Sequence, residues 1–245
     1  PVYALFAKLA RDNPDRLAVL SYEKNITYGE LRDKAMRLAR GLKRAGIVPG
    51  DVVAYQLSNH WLCCAIDLAV AALGGIVAPF PPGRGKLDIQ SLLRRCDARI
   101  VIVPDEFAGI DLCELIESLH PTLLSIRQLI VQGKERKGWT TVESMLHEEP
   151  LDEGALPLVD PDSPVRLLVS SGTESEPKLV AYSHNALLGG RGRFLQRITP
   201  EGAEFRGLYL VPLGSSFGST ATFGVLCWLG GSVVVLPKFD VKSAI

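Results

Sequence analysis

Short β-branched runs alternate with amphipathic helical stretches along most of this chain, and that alternation limits the fold more than any other feature. Runs at 17–22, 52–57, 76–80, 100–103 and 129–131 read as strands. A first helix over 3–10 puts Leu5, Phe6, Leu9 and Ala10 on one face and ends at Asn13-Pro14-Asp15. Thr27 and Glu30 read as a capping box, and Leu31, Ala35, Leu38, Ala39 and Leu42 follow at helical spacing up to a stop at Gly46. Further helices are expected over 59–73, around Leu92 and Leu93, and over 111–119. Strands that alternate with helices favour parallel pairing. The expected class is α/β, with mostly parallel, doubly wound sheets flanked by helices.

Residues 1–150 read as one α/β subdomain. The stretch 151–164 is poor in periodic apolar residues and holds Pro157, Pro161 and Pro164 with several acids, so it reads as a linker. Residues 165–245 then begin a second α/β subdomain, with its own sheet assembling after Pro164. A helix is expected from Ser183 or His184 through Leu195, and a strand at 208–211.

Composition removes several functional classes. The 27 basic and 27 acidic residues cancel, which leaves no footprint for nucleic acid. Cys63, Cys64, Cys96, Cys113 and Cys227 show no C-x-x-C spacing and fit free thiols in a reducing, cytoplasmic setting. His60, His120, His147 and His184 are dispersed and form no zinc pattern. Residues 61–80 and 217–236 imitate membrane spans in length. Asp67, Gly74-Gly75 and Pro79 break the first, and Gly230-Gly231 splits the second into a helix-like part and a β-branched run, so no span is expected. No signal peptide opens the chain, and a start at Pro1 rather than Met reads as trimmed.

The chemistry concentrates at 165–182. Two apolar runs, 165–169 and 179–182, enclose a loop with Ser170, Ser171, Gly172, Thr173, Glu174 and Ser175, closed by Pro177 and Lys178. Hydroxyls, backbone N–H groups and a lysine suit an anion with several oxygens, and Gly172 lets the main chain approach it. A plain Ser/Thr-rich hairpin fits the same composition.

The order Ser170-Ser171-Gly172-Thr173, then Pro177-Lys178, resembles the phosphate-binding signature of the adenylate-forming superfamily, which includes acyl- and aryl-CoA ligases, peptide-synthetase adenylation domains and luciferases. Glu174, Ser175 and Leu179 depart from that signature. The loop is not a Walker A motif. Thr27-Tyr28-Gly29-Glu30-Leu31, the segment from Gly46 through Ala54 with Asn59, and Ala72 through Pro79 are similar to family elements in the correct order. Val211 through Gly218 looks like the family segment whose aromatic and His border the carboxylate substrate; Gly214 and Ser215 stand at those two positions here.

The resemblance implies the N-terminal subdomains of an ATP-dependent carboxylic acid ligase that forms acyl-AMP for transfer to CoA or a phosphopantetheine carrier. It implies Ser170, Ser171, Gly172, Thr173, Glu174, Ser175 and Lys178 as phosphate-binding residues. Gly214, Ser215, Ser216, Phe217 and Gly218 would form an acyl pocket that is smaller-walled and less basic than usual. ATP and Mg²⁺ are the implied cofactors. No metal ligand is expected in this chain beyond Glu174 as a candidate, and the family's catalytic Lys is expected beyond this chain. The partners implied are a small carboxylic acid and a candidate acyl-carrier protein, with a homodimer as a candidate assembly. No Asp or Glu occurs from Gly207 to Phe239, so no residue there would pair with a substrate ammonium; a fatty, alicyclic or aryl acid is favoured over an amino acid. Two alternatives stay open: the same fold with a degenerate loop that uses preformed acyl-AMP, and a non-catalytic α/β interaction domain.

Overall fold

The computed structural model describes residues 1–169 and 178–237. Helix α1 (Val2–Asp12) leads to strands β1 (Leu17–Leu20) and β2 (Ile26–Thr27), then to helix α2 (Tyr28–Arg44). The capping box forms as expected: Thr27 Oγ1 accepts the Glu30 N–H at 3.2 Å, and Glu30 Oε2 accepts the Thr27 N–H at 2.9 Å. Strand β3 (Val52–Tyr55), helix α3 (Trp61–Ala72), strand β4 (Ile76–Pro79), helix α4 (Lys86–Arg95) and strand β5 (Ala98–Pro104) follow in strict alternation. A small hairpin, β6 (Glu106–Phe107) and β7 (Ile110–Asp111), turns at Ala108 and Gly109 with φ of +52° and +81°. Two consecutive positive φ values match the twist of a two-residue hairpin. Helix α5 (Leu112–Leu119), strands β8 (Gln128–Gln132) and β9 (Thr140–Thr141) and helix α6 (Val142–Leu146) complete this part.

Strand β10 (Pro164–Val169) runs into β11 (Leu179–Ser183), followed by a π-helix (Ala186–Gly192), helix α7 (Arg193–Ile198), strand β12 (Arg206–Tyr209), a second π-helix (Ala221–Leu229) and strand β13 (Ser232–Val235). The sheets do not divide at the proline-rich stretch. β10 pairs in parallel with β4, so the larger sheet has seven strands in the order β11-β10-β4-β3-β5-β8-β9. The other main sheet, β12-β13-β1-β2, draws two strands from the amino-terminal end, with Val19 opposite Val233. A parallel partner can lie far away in sequence, because pairing needs only a crossover and a matching apolar face. Stretch 151–164 is also docked rather than free. Glu153 accepts from Tyr3 Oη at 2.5 Å, Arg32 Nε at 2.7 Å and Arg11 Nη1 at 3.0 Å.

The apolar face of α1 is rotated from the expected one. Val2, Tyr3, Phe6, Ala7 and Ala10 are buried, while Leu5 is exposed, because the helix packs one flank on α3 and the second π-helix. Helix α3 is buried on nearly every side, which explains its almost continuous apolar sequence. Residues 61–80 and 217–236 each form a buried helix feeding a strand, with Gly230 at φ +67° ending the second helix. Among the described residues no helix is long and apolar enough to cross a membrane. All five cysteines are free and buried; burial pushes the thiols of Cys64 and Cys96 up to about 12.

His184 staples β11 to the start of α1. It is fully buried, and its Nδ1 accepts the Val2 N–H at 3.1 Å, so the ring is neutral with its proton on Nε2. Burial lowers its pKa to about 4. The folded value lies below the ordinary one of 6.5, so the unfolded chain takes up the proton first as pH falls. This stability is full above pH about 6.5 and is lost towards pH about 4, by at most about 3 kcal/mol. His184→Asn keeps an acceptor for Val2 and is expected to flatten that slope. Urea titrations of both proteins at neutral and mildly acidic pH check it: equal acid losses would count against the assignment.

Candidate functional site

Strands β3, β4, β5, β8 and β10 are parallel, so their C-terminal ends share one edge. Crevices outside such ends are where open α/β sheets bind ligands. Val169 and Leu179 are register partners across β10 and β11, so the hydroxyl-rich run leaves and rejoins the sheet at that edge. Ser170, Ser171, Gly172, Thr173, Glu174 and Ser175 lie outside the described residues. Lys178 is described and exposed, immediately before β11.

The second sheet brings its own strand ends to the same place. A cavity of about 590 Å³ is lined by Leu57, Ser58 and Asn59 after β3, Pro82 after β4, Phe107 and Ala108 of the hairpin, Leu210 and Pro212 after β12, and Leu236 and Pro237 after β13. Asn59 joins the two sides. It is buried, its Nδ2 donates to the Val211 carbonyl at 2.9 Å, and its Oδ1 accepts the Leu213 N–H at 2.8 Å. One amide side chain thus supplies the donor and acceptor that a neighbouring strand would offer, and it holds the expected acyl segment against the larger sheet.

That segment is a tight polar turn. Ser215 Oγ accepts the Gly218 N–H at 3.0 Å, and Ser219 Oγ donates to the Ser216 carbonyl at 2.7 Å. A Cβ on Gly218 would lie 2.0 Å from the Pro212 carbonyl oxygen and 2.6 Å from Leu213 Cα, so this closure requires glycine. Gly214 rests on Pro79 and Phe80 with a little more room. Phe217 is 64% exposed, with its ring 6.0 Å from that of Tyr209. Ser215 puts no basic side chain in the turn, but Arg191 brings one to it from another element. Its Nη1 donates to Ser219 Oγ at 2.6 Å and its Nη2 to Ser216 Oγ at 2.8 Å, which places a guanidinium on the loop from the first π-helix. Arg191 lies among three glycines, where sequence spacing gives no sign of this reach.

Behind the turn lies an ion pair that the apolar reading of 165–169 passes over. Arg166, in the middle of β10, has no exposed surface, and its Nη1 lies 2.7 Å from Oδ2 of Asp67, a carboxylate buried in α3. Thr222 donates to the same oxygen at 2.9 Å, and Tyr55 donates to Oδ1 at 3.3 Å. Arg166 Nη2 donates to the Leu213 carbonyl at 2.8 Å, and its guanidinium lies 5.2 Å from the centre of the Phe223 ring. Burial raises the Asp67 carboxyl above its ordinary range despite the pull of Arg166. The strand that launches the hydroxyl loop is therefore fastened to the turn that walls the cavity.

Residues 6–245 match the family model described as AMP-binding enzyme. The chain belongs to that family. Protein Y of Streptomyces griseus is 33% identical over 242 residues, covering 97% of this chain and 77% of its own length. Triostin synthetase I of Streptomyces triostinicus is 32% identical over 241 residues, covering 96% of this chain and 43% of its own. Among solved structures, the anthranilate CoA ligase AuaEII in complex with anthranoyl-AMP superposes with a TM-score of 0.89 at 19% identity, covering 99% of this chain and 46% of its own; that likeness speaks to the fold. The chain thus spans less than half of the last two. The parallel sheets flanked by helices are those of AMP-binding enzymes, as the sequence led one to expect. Among the described residues no group of His, Cys, Asp and Glu is arranged to hold a metal.

Proposed function

We propose that this chain works as the N-terminal portion of an AMP-forming acid ligase that activates a non-amino carboxylic acid as acyl-AMP for transfer to CoA or a carrier-protein thiol. The observation that carries this reading is convergence. The anchors of the hydroxyl-rich loop, Val169 and Leu179, lie at the C-terminal edge of the larger sheet, and the cavity lined by Asn59, Leu210 and Pro212 opens outside that same edge, beside the Asn59-clamped turn. A carboxylate held on the turn side and a nucleotide phosphate on the loop side would face each other there, and the protein's share is orientation and charge stabilisation. Ser170, Ser171, Thr173, Ser175 and Lys178 are the residues proposed to hold the β- and γ-phosphates. Mg²⁺ would neutralise phosphate charge and offset Glu174. The stretch between Gly207 and Phe239 lacks a carboxylate, which supports a fatty, alicyclic or aryl acid.

The test is pyrophosphate exchange in a protein that carries this chain together with the remainder found in longer relatives. Lys178→Ala is expected to slow exchange by about 10- to 100-fold, the worth of a lost hydrogen bond to a charged group. Unchanged exchange would reduce the loop to a turn. Glu174 and Ser175 favour a second reading, in which the loop is degenerate and preformed acyl-AMP is the substrate. Under that reading exchange is negligible, and restoring Thr at 174 and Gly at 175 raises it.

A further inference from the structure

Arg191 carries a charge that the described residues do not balance. A guanidinium has five N–H donors. Nη1 uses its two on the Ser216 carbonyl and Ser219 Oγ, and Nη2 uses one on Ser216 Oγ. The guanidinium also lies 4.8 Å from the centre of the Tyr182 ring. All of these partners are neutral, and among the described residues no carboxylate lies within ion-pair distance of Arg191. The head group is thus fixed in place and charged, with Nε–H and one Nη2–H left without an acceptor among the described residues.

The same Nε/Nη2 edge of another arginine in this protein shows what it takes. Arg136 holds the Glu117 carboxylate through Nε at 2.8 Å and Nη2 at 2.6 Å. Two parallel N–H groups match two carboxylate oxygens, and a charge-assisted pair of this kind is stronger than neutral hydrogen bonds. The support is also unusual: Arg191 sits on a π-helix, a form that is rare and concentrates at functional sites. Gly192 lets that helix close on its neighbour, since a Cβ there would lie 2.5 Å from the Trp228 ring.

We propose that the Nε/Nη2 edge of Arg191 receives the carboxylate of the acid substrate, which makes Arg191 a substrate-binding and specificity residue. This rests on the reading of 211–218 as the acid-binding wall. Ser215 leaves that wall without a basic side chain of its own, and Arg191 supplies the cation from a different element. The acid would bind as its anion, and a primary amide of the same acid would lack the charge and the second oxygen that the fork requires.

The experiment measures binding of benzoate, salicylate and octanoate, each beside its primary amide, and of benzoyl-sulfamoyl adenosine, to this chain and to its Arg191→Gln and Arg191→Lys variants. Arg191→Gln is expected to weaken the bound acid by about tenfold or more while changing its amide by less than about twofold. Arg191→Lys keeps the charge without the fork and is expected to fall between, and it decides the matter if the glutamine variant fails to fold. Acid and amide weakening together, or neither changing, overturns the assignment. If the unsubstituted chain binds the sulfamoyl adenosine but none of the acids, the Arg191 assignment fails while the proposed function stands. If it binds none of the probes, both fail.

Discussion

Asp67→Ala is expected to destabilise the folded chain by about 3–5 kcal/mol, because it leaves the Arg166 guanidinium buried without a counter-charge. Desolvating a charge is costly wherever it occurs, and here neither partner reaches solvent. Replacing both partners with apolar residues, Asp67→Leu with Arg166→Met, removes that cost and is expected to recover most of the loss. It does not restore the bond from Arg166 to the Leu213 carbonyl. The double variant should therefore fold well and still bind site ligands more weakly than the unsubstituted chain. Chemical denaturation of the two variants, with ligand titrations on the double one, separates the two roles. A single variant losing less than about 1 kcal/mol would show that the pair adds nothing to stability.

Much of this frame is readable in the sequence because its signals are local. Thr27 and Glu30 lie three residues apart and cap the helix they precede. The alternation of runs over 52–132 yields the parallel strands directly. The small sheet was not readable, because Val19 meets Val233 only after the whole intervening chain has folded, and no short-range pattern encodes that register. Strand β10 misled for a different reason. Five apolar neighbours hide Arg166, and its partner Asp67 lies on a helix whose sequence is otherwise apolar, so each charge looks like an exception until they are seen 2.7 Å apart. At the site, the glycine at 218 and the polar turn were legible as a motif. The Arg191 guanidinium was not, since its reach depends on the packing of two π-helices.

The second large effect concerns Gly218. An added Cβ would collide with backbone atoms of Pro212 and Leu213, not with a side chain that could swing away. Gly218→Ala must therefore open the turn, at a cost of about 1–3 kcal/mol from overpacking. Asn59 would then lose its hold on Leu213, and the cavity wall would move. The expected outcome is a modest fall in stability together with about a 10- to 100-fold loss of acyl-adenylate affinity. A variant that kept its affinity would show that the turn does not border the ligand.

The most direct measurement is calorimetric titration of this chain with a non-hydrolysable acyl-adenylate such as benzoyl-sulfamoyl adenosine, with its octanoyl counterpart in parallel. The two sheet edges, the Asn59 clamp and the cavity of about 590 Å³ predict saturable binding of at least one of them at a single site, displaced by AMP and weakened by Gly218→Ala. No saturable binding of either compound, or binding that AMP does not displace, would contradict the placement of an acyl-adenylate site at this edge.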